Sequence, residues 1–252
     1  MYVDTNLFSE AETGRKIMRE KSGLAKAARW IAVVVLAGVA WRSGGTQDAK
    51  AVYPKMAPVE QYLIEDRNAE IALAKSAAPE SISRDATVLV LGRHGYETAV
   101  QGKNGFVCLV ERSWTAGIDF PEFWNPKLHG PICYNAPAAR TYVNRILKKT
   151  DLVLAGNSKE QMFQAITAAV ASKELPPIES GSMSYMLSKQ GYLGDQNGHW
   201  HPHLMFFFEY IAPDVWGANQ KGSPIFALDD KVEHVTEFLV PVMQWSDGTT
   251  DH

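Results

Sequence analysis

The sequence predicts a single α+β domain: a largely antiparallel sheet with a few packed helices, preceded by a signal-peptide-like segment. Strand-length apolar runs do not alternate regularly with helical patterns, as they would in a doubly wound parallel fold. The composition of the 252 residues, 46% hydrophobic and 21% charged, is typical of an ordinary globular protein. It excludes disordered, collagen-like and multi-span membrane proteins.

The first half of the domain combines one helix with three strands. In chain order we expect a helix over 59–77, a strand over 86–91, strands over 96–100 and 106–110, and a loop over 112–138. The helix stops at Pro79, which cannot continue it. Asn104-Gly105 favours a tight turn, because such turns need positive φ, so the second and third strands are predicted to form a hairpin.

The second half begins with helices and ends mostly with strands. In chain order we expect a helix over 138–149, a short strand over 152–155, a helix from Ser158 to Pro176, strands over 183–189, 203–210, 225–228 and 235–243, and a helical turn near 213–219. Ser158 followed by Gln161 is a capping-box pattern, which makes this helix the clearest in the chain.

The N-terminus has the layout of a secretory signal peptide. Six basic residues precede an uninterrupted apolar run over 30–41. Two small-residue sites fit cleavage, namely Gly38-Val39-Ala40 at the end of the run and Ala49-Lys50-Ala51 after it. The run is shorter than the roughly 20 apolar residues of a membrane-spanning helix. We therefore expect residues 1–51 to be a cleaved leader and polar linker, and 52–252 to be a periplasmic or extracellular domain. An uncleaved anchor and a buried core helix are the alternatives.

The charge balance argues against polyanionic partners. The formal net charge of the chain is -3, but residues 1–51 hold eight Lys and Arg against five Asp and Glu, so residues 52–252 carry -6. Nucleic-acid binding depends on a basic excess, and like charges repel an anionic membrane surface. We expect no nucleic-acid partner and no stable transmembrane span once the leader is removed.

Cys108 and Cys133 are the two cysteines of the chain. Export to an oxidising compartment permits them to form a disulfide. The alternative is a pair of buried free thiols that pack as small apolar groups. A catalytic thiol is disfavoured at Cys108, because burial within an apolar strand raises the pKa of a thiol.

The first candidate site is Arg93-His94-Gly95, which resembles the Arg-His-Gly signature of the histidine phosphatases. The resemblance implies that His94 accepts the phosphoryl group and that Arg93 binds it. It covers about eight residues, and a hairpin strand follows where that family has a helix. The alternative is a plain turn in which glycine supplies backbone freedom.

The second candidate site is His199-Trp200-His201-Pro202-His203 with Glu209 beyond it. Alternate residues of an extended chain share a face, so two neighbouring histidines can bind one divalent metal such as zinc. The outer pair lies about 13 Å apart on a straight strand, too far to share that ion. We expect His201 to pair with His199 or His203 and to recruit a further ligand such as His94, His129, Asp195 or Glu209.

This second site also resembles a cupin metal motif, in which His-x-His and a later Glu bind the metal. The spacing from His203 to Glu209 is one residue longer than that pattern usually has, and the helices do not suit a pure β-barrel. The alternative is a turn whose histidines make ordinary hydrogen bonds, with Pro202 marking the start of a strand.

Two longer segments, 90–114 and 185–207, are similar to a family of uncharacterised exported bacterial proteins. They contain Gly-Arg-His-Gly-Tyr-Glu-Thr and Gly-His-Trp-His-Pro-His-Leu-Met-Phe. The resemblance covers most of residues 52–252 and implies no activity.

Three functions follow as hypotheses. The first is a metal site at the histidines that binds a small-molecule ligand or activates water for hydrolysis. The second is a non-catalytic envelope protein that binds a protein partner through its sheet edge and its aromatic loop, which contains Trp114, Phe120, Phe123 and Trp124. The third is a phosphatase at His94.

Overall fold

Eight strands form one sheet in residues 53–195 and 200–251, the part of the chain that this computed structural model describes. In chain order they are β1 (Thr87–Gly92), β2 (Gly95–Val100), β3 (Val107–Glu111), β4 (Gly130–Tyr134), β5 (Met183–Met186), β6 (His203–Glu209), β7 (Phe226–Asp230) and β8 (Val235–Pro241). Across the sheet they are ordered β2-β1-β3-β4-β5-β6-β8-β7. β1 and β3 are parallel, and the other neighbours are antiparallel. The predicted α+β class with a largely antiparallel sheet is therefore confirmed.

Three of the five helices in the described residues begin at a residue whose side chain caps them. The five helices are α1 (Arg67–Lys75), α2 (Glu80–Ser83), α3 (Ala136–Thr141), α4 (Val143–Leu154) and α5 (Lys159–Ala171), with 3-10 turns at Val59–Gln61, Ser113–Thr115 and Pro213–Trp216. The predicted capping box is present, since Ser158 accepts from the Gln161 N–H and the Gln161 side chain accepts from the Ser158 N–H. The helix predicted over 59–77 begins only at Arg67, because the Asp66 carboxylate caps it there.

The two faces of the sheet bury different clusters. On one face, Ala74 of α1 packs with Val88, Val90 and Val110. Residues next to these in sequence point the other way, because side chains alternate along a strand. On that second face, Tyr134 packs with α3 and α4 in a cluster that also contains Leu109, Ile132, Tyr142, Ile146, Met205 and Phe207.

A disulfide between Cys108 and Cys133 fastens the centre of the sheet. The two residues face each other directly on β3 and β4, with their Cα atoms 4.0 Å apart. Both side chains are fully buried in the α1 cluster. The predicted disulfide is confirmed, and the alternative of two free thiols is wrong.

The hairpin predicted between 96–100 and 106–110 is wrong. β2 pairs instead with β1 through the short turn at Arg93-His94, and β1 separates β2 from β3. The 102–105 segment crosses the start of β1, where the Gly102 N–H donates to Thr87 Oγ1 at 3.0 Å. A Cβ at Gly102 would lie 2.1 Å from the Thr87 nitrogen, so the crossing requires glycine.

Two other predictions are wrong for identifiable reasons. The loop predicted over 112–138 contains β4, whose five residues are all buried, so it shows no alternation of polar and apolar residues. The strand predicted over 152–155 is mostly the last turn of α4, which buries Ile146, Lys149 and Val153 at helical spacing.

The predicted leader, its cleavage sites and the linker up to residue 52 lie outside the described residues, as does His199. Within 53–195 and 200–251, no helix has the length and apolar character needed to cross a membrane.

Reduction of the disulfide is expected to lower the free energy of unfolding by about 3 to 4 kcal/mol. The Cys108–Cys133 crosslink spans 25 residues and restricts the unfolded chain. Urea unfolding of the native protein with and without dithiothreitol measures the loss. A variant carrying Cys108→Ala and Cys133→Ala is the control and should not respond to dithiothreitol. Equal unfolding midpoints of the native protein in both buffers would contradict the expectation.

Candidate functional site

The two described histidines of the predicted metal motif make different contacts. His203 begins β6 and is buried, and its Nδ1 lies 2.9 Å from the His201 carbonyl oxygen. His201 precedes the strand, and its Nδ1 lies 2.5 Å from Asp251 Oδ2. The His201 side chain is 60% exposed. Burial lowers the pKa of His203, so this imidazole is neutral at pH 7.

The further ligands predicted for this motif lie elsewhere. Glu209 is at the opposite end of β6, about 20 Å along the strand from His203, and accepts from the Ile178 N–H at 3.0 Å. The Asp195 carboxylate binds the hydroxyls of Tyr53 and Tyr192. Among the His, Cys, Asp and Glu side chains of 53–195 and 200–251, no group of three or more is placed to hold a metal ion. A metal site that involves His199 remains a prediction.

Arg93 and His94 form the exposed turn between β1 and β2. The Arg93 guanidinium pairs with the Glu60 carboxylate. β2 follows the turn, as the sequence indicated, in place of the helix that follows the motif in histidine phosphatases. The phosphatase hypothesis remains a prediction.

The aromatic residues of the 112–138 segment pack mainly inward. Trp114 and Phe123 are fully buried, and Trp124 is nearly so. Trp114 also donates from its indole nitrogen to Thr150 Oγ1 at 3.0 Å. Phe120 differs from these three, because it lines a large cavity on the α4 side of the sheet.

This cavity has a volume of about 1220 Å³. The sheet forms its floor through Tyr134, Met186, Met205 and Leu239. Its rim comes from the 115–121 segment, the start of α5, and the end of β7 with the turn that follows it. Its volume is slightly above the range of about 300 to 1,000 Å³ that is typical of small-molecule sites.

Two glutamates of the sheet line this cavity, and each is bound by a tyrosine. Tyr134 donates to Glu111 Oε1 at 2.5 Å, and Tyr142 donates to Glu237 Oε1. Burial raises the pKa of Glu111, and it raises the pKa of Glu237 to about 7 although the Tyr142 hydrogen bond opposes the change. Burial also keeps both tyrosine hydroxyls protonated, so they act as donors. The cavity therefore contains two carboxyl groups whose pKa burial raises, and that of Glu237 lies near neutral pH.

A buried ion pair lies beside these glutamates. Lys149 Nζ on α4 lies 2.5 Å from Glu233 Oε1 and 2.5 Å from the Thr115 carbonyl oxygen. Burial acts to lower the pKa of Lys149, but the charge and hydrogen bond of Glu233, together with the charges of Asp230 and Glu237, outweigh burial and raise that pKa. Lys149 therefore balances Glu233, and it is already bound on both sides.

Sequence reasoning found His203, which lines the cavity, but missed Glu111 and Glu237. A signal for both was present in the strand patterns. Glu237 shares its face of β8 with Val235 and Leu239, and Glu111 shares its face of β3 with Leu109. A lone carboxylate on an otherwise apolar strand face indicates either a buried polar contact or a site.

Comparison of the chain with protein-family models, with curated proteins and with solved structures finds no match. The resemblance to exported bacterial proteins therefore remains a prediction.

Glu237→Gln is expected to stabilise the protein more at pH 7.5 than at pH 4.5. The pKa of this carboxyl rises from 4.5 to about 7 on folding, so as the pH increases the group ionises first in the unfolded state. The native protein therefore loses stability as the pH rises from 4.5 to about 7. The loss is at most about 3 kcal/mol, since one pKa unit corresponds to ~1.4 kcal/mol.

Urea unfolding at the two pH values measures this difference. Glu65→Gln, which removes an exposed carboxylate, is the matched control and should change stability equally at both. If Glu237→Gln also changed stability equally at both pH values, the pKa of Glu237 would not be raised on folding.

Proposed function

We propose that the protein binds an organic small molecule in the cavity over the α4 side of the sheet. The observation that carries this proposal is a cavity of about 1220 Å³ whose accessible surface is mainly apolar, with polar and charged side chains among the lining residues. Ligand pockets commonly combine an apolar lining with a few polar groups that orient the ligand.

The apolar lining supports a ligand with a hydrocarbon or aromatic body. It comes from separate parts of the chain, and includes Ile118, Leu128, Met186, Leu193, Met205 and Leu239. At about 25 cal/mol per Å², burial of 200 Å² of apolar ligand surface would contribute about 5 kcal/mol before the entropic cost of binding. Glu111, Glu237 and His203 are the polar groups that would orient the ligand.

We also propose that this binding takes place outside the cytoplasm. The signal-peptide-like pattern of residues 1–51 supports export. The Cys108–Cys133 disulfide is compatible with an oxidising compartment.

A fluorescent probe tests the cavity directly. N-phenyl-1-naphthylamine, which brightens in apolar surroundings, is expected to bind with a saturable signal at one equivalent. Ala116→Trp is expected to weaken this binding about tenfold or more, because an indole placed on the cavity wall fills part of the space.

Ala171→Trp provides the matched control, since Ala171 is exposed at the end of α5 and does not line the cavity. Its dissociation constant should equal that of the native protein. A signal that never saturates, or an equal dissociation constant for Ala116→Trp, would rule out binding in this cavity.

A divalent metal such as zinc at the histidines is the second candidate function. The Nδ1 atoms of His201 and His203 each lie against an oxygen, of Asp251 and of the His201 backbone respectively, so the neutral form of each ring has its lone pair on Nε2. Metal-binding histidines are commonly oriented in this way. His199 or His203 would be the neighbouring ligand.

Metal analysis tests this second candidate on protein purified without a nickel column. We expect about one equivalent of metal in the native protein, a loss in His201→Ala, and no loss in His234→Asn, which changes an exposed histidine of the turn before β8. Sub-stoichiometric zinc, manganese, iron and copper that His201→Ala leaves unaltered would refute it.

A further inference from the structure

We propose that the cavity ligand is an organic cation, with an apolar body and one protonated amine or quaternary ammonium group held by Glu111 and Glu237. This inference rests on the proposed function and names the chemical class of its ligand. It depends on the charges of the cavity wall, on the protein partners that already bind its basic residues and on the tyrosines beside the two carboxylates.

The cavity lining has an excess of acidic residues. Three basic residues line it, namely Arg112, Lys159 and Lys231. Six acidic residues line it, namely Glu111, Asp119, Glu160, Asp229, Asp230 and Glu237. Charges in a cleft with apolar walls interact more strongly than they do in water. The lining therefore favours a positively charged ligand over a negatively charged one.

The basic groups nearest the floor are already occupied by protein partners. Arg112 binds Glu70 Oε1 at 2.9 Å and the carbonyl oxygens of Tyr62 and Val110 at 2.6 and 2.5 Å. Lys149, just behind the floor, binds Glu233. Lys149 favours the ionised form of both cavity glutamates through its charge, but its hydrogen bonds go to Glu233 and to the Thr115 carbonyl oxygen. Direct contact with the two carboxyl groups on the cavity side is therefore left to a ligand or to a proton.

The tyrosines that bind these glutamates leave each carboxyl group able to accept from a ligand. Tyr134 and Tyr142 line the cavity with ring centroids 5.6 Å apart. Tyr134 is fully buried and Tyr142 stacks on Phe207, so both contribute through their hydroxyls rather than through an open ring face. Their hydroxyls donate to one oxygen of each glutamate, and a carboxylate accepts further hydrogen bonds. The floor thus presents two carboxyl groups that can still accept from an ammonium group.

Occupation of the cavity by a cation is expected to release a proton from Glu237. The charged groups facing this carboxyl are Lys149 on α4, Glu233 before β8 and Glu111 on β3, and Tyr142 donates to it. With no cation bound, burial raises the pKa of Glu237 to about 7. An ammonium group favours the ionised carboxylate, so its affinity rises with pH as Glu237 loses its proton.

Isothermal titration with three octyl compounds tests the charge of the ligand. Octylamine, 1-octanol and octanoate share one chain, and octylamine stays protonated below about pH 9, since alkylamine pKa values lie near that of lysine. At pH 8 we expect octylamine to bind at least tenfold more tightly than octanol, and octanoate to bind most weakly. The octylamine affinity should fall severalfold from pH 8 to pH 6.

Variants identify the groups responsible. Glu237→Gln and Glu111→Gln keep the shape of the side chain and should each weaken octylamine binding about tenfold while leaving octanol binding unchanged. Glu237→Gln should also remove the pH dependence. Glu174→Gln, at an exposed site outside the cavity, is the control and should bind all three compounds as the native protein does.

The outcomes separate this inference from the proposed function. Equal affinities for octylamine and octanol, or octylamine binding that Glu237→Gln and Glu111→Gln leave unchanged, would overturn the cation assignment while the cavity still bound a ligand. Absence of binding by all three compounds, together with no saturable naphthylamine signal, would overturn the proposed function and the cation assignment with it.

Discussion

The structure depends on how it satisfies the polar groups buried beneath α4. Lys149 reaches from α4 to Glu233 in the turn before β8 and to the Thr115 carbonyl oxygen, so one ammonium group joins three separate segments. Loss of one partner from a buried ion pair leaves an uncompensated charge, which is strongly destabilising. This contact therefore determines where α4 lies, and with it the position of Tyr142.

The position of α4 explains why a cavity forms on this face of the sheet. Tyr142 stacks on Phe207 of β6 with ring centroids 4.0 Å apart, and this contact continues the core of α3 and α4. Beyond it, Met205 and Leu239 of the same face line the cavity. On the other face, the Cys108–Cys133 disulfide and the α1 cluster hold the sheet centre in place. A fixed sheet beneath a partial helical cover leaves a preformed space.

The fold was predictable where a local pattern determines it, and the site was not, because its residues come from distant segments. The Ser158–Gln161 capping box and the apolar strand that follows His203 are local features, and both were predicted correctly. β4 and the pairing of β1 with β2 depend on what packs above and beside each strand, which one sequence does not record. The strand pattern places Glu237 on an apolar face, but it does not show the contact with Tyr142, which lies 95 positions earlier in the chain.

The cavity glutamates are better explained by function than by stability. Replacement of buried charged groups by apolar ones of similar volume is often neutral or stabilising, so folding alone does not account for Glu111 and Glu237. Buried groups that do not favour folding are expected at functional sites. The described part of the predicted histidine motif contains no such unfavourably buried group, since His203 is neutral and hydrogen-bonded and His201 is largely exposed. His203 nevertheless lines the same cavity about 13 Å along the strand from Glu237, since His203 pairs with Pro241 and Glu237 pairs with Phe207. Its neutral imidazole is therefore suited to bind a different part of the ligand from the part that the glutamates hold.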